Sequence, residues 1–224
     1  MNKIINKIKH LMGTPVMIRP IADTNNYQIN QSGFSGNSLS DQNILIVTNI
    51  VDGYEKIKDI FKNENCYLSI LYCDNDTLND EMIKKSSAGL LGSYTHIINL
   101  VVSDNTNMQL KAQITVINDP VRCVYQWLQV ESGYLIEKTS YATICTAYYY
   151  NDTIFDIEKN SQNGGISSLI KGLGGVLSNH GIIENGLISS SKVPFEEMLH
   201  TTIYLSGKYG QIMAGEVLHM ELRR

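Results

Sequence analysis

Apolar positions along the chain follow two rhythms. Residues 43–48 (NILIVT), 66–74 (CYLSILYCD), 96–102 (HIINLVV) and 141–147 (YATICTA) are short apolar runs of the kind buried on both faces in a parallel sheet. Helical spacing separates them. It governs residues 54–62, 78–92 and 115–129, and most clearly residues 163–180, where Ile166, Leu169, Ile170, Leu173, Val176 and Leu177 form one stripe. Gly181 is placed to stop that helix, and GIIENGLI follows as a buried strand. Alternating strands and helices predict an α/β fold with a doubly wound, Rossmann-like parallel sheet.

Two stretches depart from this pattern. Residues 1–12 (MNKIINKIKHLM) set Ile4, Ile5, Ile8 and Leu11 on one side of an amphipathic helix ended by Gly13 and Pro15, and residues 24–42 have the Asn, Ser, Gly and Gln of a linker. The expected organisation is therefore an extension at 1–42, with no role assigned, and one α/β domain at 43–224. Within the 163–180 helix, Gly172, Gly174 and Gly175 each cost about 1 kcal/mol relative to Ala. Such a cost predicts a second backbone packed closely against them, read here as a helix-to-helix contact.

Composition narrows the function classes. The 224 residues are 43% apolar, enough for one sizeable core, and the net charge of −4 with scattered basic residues argues against nucleic acid. Cys66, Cys73, Cys123 and Cys145 contain no C-x-x-C pair, and the five histidines show no metal spacing, so reduced thiols, a cytoplasmic location and no metal are expected. No apolar run reaches the ~18 residues of a membrane span.

GIIENGLI, KVPFEEMLHTTIYLSG and QIMAGEVLHMEL, in that order, resemble the closing third of the short-chain dehydrogenases/reductases. Asn185 matches the asparagine of that family's "gIrvN" strand, Pro194 with Glu197 its proline-glutamate helix start, and Gly215 the glycine of its last strand. The resemblance extends over residues 43–224 and implies a Rossmann fold, NAD(P), a catalytic Asn-Ser-Tyr-Lys set and oligomeric assembly. Measured against it, the chain lacks one βα unit and the mobile substrate lid, since Ser189 and Ser190 lead almost directly to Pro194.

The resemblance also implies which residues stand at the functional positions. Thr48, Asn49 and Gly53 occupy a phosphate loop that keeps one of its glycines, and Asp52 with Glu55 forms a capping box that competes with phosphate. Glu55 beside a pyrophosphate would cost on the order of 3 kcal/mol per charge pair at ~5 Å. Asp74 stands as the candidate adenine-side aspartate, Asn99 at the nicotinamide border, Asn118 at the tetrad asparagine and Thr146 at the catalytic serine, while Lys159 and Asn163 fall where the Tyr-Lys pair belongs.

The reading that follows is a pseudoenzyme with no expected cofactor. It would bind a homo- or hetero-oligomeric partner of the same fold, such as an active reductase, through Gly172, Leu173, Gly174, Gly175 and Val217. The alternatives are an NAD(P)-dependent reductase with rearranged acid chemistry and a small-molecule binding protein using the remnant cleft. Tyr148, Tyr149 and Tyr150, read as lying just past the Thr146 strand, mark the mouth of that cleft.

Overall fold

The computed structural model describes residues 20–21, 38–50, 54–73, 78–89, 94–103, 113–138, 141–152, 156–208 and 210–221. The expected amphipathic helix at 1–12, Asp52, Gly53 and Asp74 lie outside the described residues.

Six strands form a continuous parallel sheet: β2 (Asn43–Thr48), β3 (Tyr67–Tyr72), β4 (His96–Val102), β5 (Ala142–Tyr150), β6 (Ile182–Ser190) and β7 (Val217–Met220). A two-residue strand, β1 (Pro20–Ile21), joins the edge antiparallel to β3. The order across the sheet is β1-β3-β2-β4-β5-β6-β7. A dinucleotide fold of the ordinary kind carries two parallel strands outside its first one. Here β2 has a single parallel neighbour on that side, β3, so the missing βα unit is the one beyond it, and β1 lies at the vacated edge.

Helices cover both faces. Helix α1 (Tyr54–Phe61) and α5 (Phe195–Ser206) seal a core with Ile44, Ile46, Ile98, Leu100 and Leu187. Helices α2 (Asp80–Ser86), α3 (Gln113–Lys138) and α4 (Asp156–Leu177) seal the opposite one, with Trp127, Ile144, Ile166 and Ile170. Strands hydrophobic on both faces are what such a sandwich requires, and β4 is buried along almost its whole length. Leu39, four residues ahead of β2, is fully buried in the first of these cores, which thereby includes the end of the linker-like stretch.

Helix α4 starts at Asp156, ahead of the apolar stripe, and gives way to a 3-10 turn ended by Gly181 at φ +74°, as its sequence position predicts. Ile166, Ile170 and Leu177 are buried, Leu169 and Leu173 pack partly against the same core, and Val176 is 57% exposed. At Gly174 the expected helix-to-helix contact is corrected. A Cβ on Gly174 would stand 2.6 Å from the Cα of Gly215, so the close backbone is the loop before β7 of this same chain. Gly215 itself takes φ +77° and donates its N–H to the Glu184 carbonyl at 2.7 Å. Gly172 and Gly175 face open space, and Val217 packs partly against the chain's own core.

The four residues between β6 and α5 leave no room for a lid. Ser191 donates its N–H to Tyr150 O at 2.8 Å and Val193 to Ser190 O at 2.9 Å, a tight turn that delivers Pro194 to the start of α5. The glycines predict opposite outcomes. Gly174→Ala is expected to destabilise the chain by about 1–3 kcal/mol through overpacking on Gly215, whereas Gly172→Ala and Gly175→Ala gain up to ~1 kcal/mol of helix stability. Urea denaturation of the three variants checks both signs.

Candidate functional site

In an open α/β sheet the ligand crevice lies beyond the carboxyl ends of the strands, where the order reverses. In this sheet that point falls between β2 and β4. Thr48, at the end of β2, is buried, and its Oγ1 accepts from the Ile50 N–H at 3.1 Å. Asn49 follows. Its Nδ2 donates to the Val102 carbonyl at 2.8 Å and its Oδ1 accepts from the Val102 N–H at 2.9 Å. The side-chain amide thus continues the ladder past the last strand pair and ties β2 to β4 at the switch point.

The three tyrosines lie inside β5, at its carboxyl end, rather than past it. Aromatic side chains favour the pleated, half-buried setting of a strand, and they prolong this one. Tyr148 donates to Gln162 Oε1 at 2.5 Å, and Gln162 Nε2 donates to Glu158 Oε1 at 3.2 Å one turn back along α4. Tyr149 points to the other face, where its hydroxyl donates to the Val193 carbonyl at 2.9 Å and its ring meets Phe195 edge-on. Tyr150 donates to Glu221 Oε1 at 2.9 Å. Beside it, Ser190 Oγ donates to Asp152 Oδ2 at 2.6 Å, and Lys192 Nζ pairs with the same oxygen at 3.4 Å.

These partners set the acidity of the phenols. Burial raises Tyr150 above its ordinary 10, and the hydrogen-bonded Glu221 carboxylate and the nearby Asp152 charge push it the same way. Burial likewise raises Tyr148. Lys159 stands with its Nζ 5.7 Å from the centroid of the Tyr150 ring, a cation over a π face.

Below the mouth a second polar group is sealed inside the sheet. Asn99 and Thr146 are direct partners across β4 and β5, both fully buried. Asn99 Nδ2 donates to Glu131 Oε2 on α3 at 2.7 Å and lies 3.4 Å from Thr146 Oγ1. Glu184 enters the same core from β6, fully buried, with neither carboxylate oxygen hydrogen-bonded.

The sequence candidates are therefore split. Asn99 and Thr146 come together, but in mid-strand, with β4 running on to Val102 and β5 to Tyr150. The serine position assigned to Thr146 and the nicotinamide border assigned to Asn99 are both covered by protein. Lys159 does reach the mouth. Asn163 sits one turn further along α4, half-buried, with its Oδ1 buried and without a partner. Asn118 belongs to α3, and its side chain lies outside the described residues. Sequence reasoning missed Glu131, Glu158, Gln162, Glu184 and Glu221. The signal for two of them was available: a lone glutamate inside the apolar runs of β6 and α3.

No family model matches the sequence, and no curated protein matches it. Solved structures do. A hydroxysteroid dehydrogenase from Escherichia coli superposes with a TM-score of 0.62 at 11% identity, covering 84% of this chain and 99% of that one. The NADH-dependent enoyl-[acyl-carrier-protein] reductase of Aquifex aeolicus gives 0.59 at 16% identity, over 81% and 96%. The enoyl-acyl carrier protein reductase of Bacillus cereus, solved with NADP+ and indole naphthyridinone, gives 0.58 at 13%, over 82% and 96%. The fold is that of the short-chain dehydrogenases/reductases. This chain is a shortened version of it: among the described residues six strands run parallel and no lid folds over the mouth. Among the described residues no group of three or more His, Cys, Asp or Glu is placed to hold a metal, and no helix is long and apolar enough to cross a membrane.

The Asn49 clamp predicts a cost of its own in this short-chain reductase fold. Asn49→Ala leaves the Val102 N–H and carbonyl without their side-chain partner and is expected to lower stability by about 1–3 kcal/mol, read as a shift of the urea midpoint.

Proposed function

We propose that the chain is a non-catalytic member of the short-chain reductase fold group, a structural or regulatory subunit that binds a partner of the same fold. The observation that carries this is the Tyr150–Glu221 hydrogen bond. Reduction of a carbonyl needs an acid whose pKa is brought toward the working pH, which in this fold group means a phenol lowered by a neighbouring ammonium. Tyr150 is the phenol that shares the mouth with Lys159, and its surroundings act in the opposite direction. Its proton is directed at a carboxylate, its acidity is weakened, and the Lys159 ammonium lies over its ring.

The dinucleotide fits poorly for related reasons. The Asn49 amide is tied to Val102 at the switch point, where a cofactor would need free donors, and the carboxylates of Asp152, Glu158 and Glu221 converge at the mouth. The surface that supports partner binding is the outer side of α3 and α4, where Tyr125 and Val176 are 49% and 57% exposed and Gly172 and Gly175 face open space. Four unbridged cysteines, three of them buried, fit a reducing cytoplasm.

Titration of the purified protein with NADH and NADPH tests the reading. No saturable binding in the micromolar range, no carbonyl-dependent cofactor oxidation, and stable co-elution with an active reductase of the same fold are expected. Micromolar binding with turnover that disappears in Tyr150→Phe would establish the rival reading, an NAD(P)-dependent reductase with altered acid chemistry.

A further inference from the structure

The strongest unexplained feature is the sealed cluster of Asn99, Glu131, Thr146 and Glu184, four residues with no exposed surface. Four of its oxygens have no hydrogen-bond partner: Asn99 Oδ1, Glu131 Oε1, and Glu184 Oε1 and Oε2. With ionised carboxylates all four are acceptors, and the cluster's one hydroxyl, on Thr146, which accepts from Asn99, has a single proton to offer them. Two buried negative charges without a cation would cost many kcal/mol each, and no Lys or Arg is buried among the described residues. Two protons resolve the imbalance. Each converts one orphaned acceptor into a donor and leaves another oxygen to receive it, so the four oxygens become two donors and two acceptors.

We infer that Glu131 and Glu184 form a proton-storing pair, both neutral in the folded chain, so that folding near neutral pH takes up two protons and the packing of α3 on the sheet weakens as alkali removes them. This is independent of the proposed function.

The surroundings agree. On this face β2 contributes Leu45 and Val47, β4 Ile97 and Val101, and β5 Ile144 and Tyr148, the last tied to Gln162. From α3 come Cys123, Tyr134 and Leu135, and from α4 Ile166, Ile170 and the Gln162–Glu158 pair. Burial, opposed by the Asn99 hydrogen bond, raises Glu131 from 4.5 to about 8. Burial and then the Glu131 charge raise Glu184 from 4.5 to about 9. Both folded values exceed the unfolded one. The stabilisation is therefore complete below 4.5, falls as pH rises through the interval up to about 8–9, and is gone above it. His96, whose burial lowers it from 6.5 to about 4, acts with the opposite sign, but only below 6.5.

Melting curves between about pH 6.5 and about pH 7.5 therefore isolate the pair, because Cys66 and Cys145, which burial raises from 9.0 to about 12, act with the same sign only at higher pH. The wild-type Tm is expected to fall steadily across this range. Glu131→Gln and Glu184→Gln should each remove roughly half of the slope and raise the Tm at the alkaline end, and the double variant should be flat. A flat wild-type profile, or an unchanged slope in the double variant, would overturn the inference. So would millimolar Mg2+ or Ca2+ raising the alkaline Tm of the wild type but not of the double variant, because a bound cation would then hold the cluster. If the variants do not fold, calorimetric unfolding of the wild type at neutral pH in buffers of different ionisation enthalpy counts the protons directly. Release of about two per chain supports the pair and release of none contradicts it.

Discussion

A side-chain amide closes this sheet where related folds leave an opening. By giving both its donor and its acceptor to the backbone of Val102, Asn49 joins β2 and β4 beyond their last ladder bond. A switch point is useful to a ligand because neighbouring strands diverge there and leave backbone and side-chain groups unpaired. Here those groups are paired within the chain.

The same economy extends along the carboxyl edge. Tyr148 leads to Gln162 and Glu158, Tyr149 to Val193, Tyr150 to Glu221, and Ser190 to Asp152 and Lys192. Each bond fixes a side chain that would otherwise be available, and the two shortest involve a phenol and a hydroxyl meeting oxygen acceptors. With a four-residue turn in place of a lid, nothing among the described residues folds over this edge to exclude water from a reaction. The molecule keeps the layered support of the fold and ties down its working end.

Much of this architecture was legible in the sequence because it rests on periodicity. The apolar stripe of α4, its arrest at Gly181, the buried run of β2 and the short path from Ser190 to Pro194 are all local patterns, and each appears where it was expected. What depended on distance along the chain was harder to read. Gly174 announced a close backbone contact but not its identity, because Gly215 meets it only after β6 and α5 have been laid down. The tyrosines at the end of β5 looked like the start of a loop, so counting placed Thr146 at the strand's tip when it lies in the middle. Glu131 and Glu184 were passed over, because what buries them is the closing of α3 and the sheet around them.

The central claim is that the tyrosine at the mouth is held as a proton keeper, tied to Glu221, and not as a poised acid. Spectrophotometric titration of phenolate in the wild type and in Tyr150→Phe tests it most directly, since the difference between the two curves isolates one hydroxyl. The account predicts that the difference curve shows no ionisation until well above the ordinary tyrosine value of 10. A phenol titrating near neutrality in the wild type and absent from the variant would contradict it.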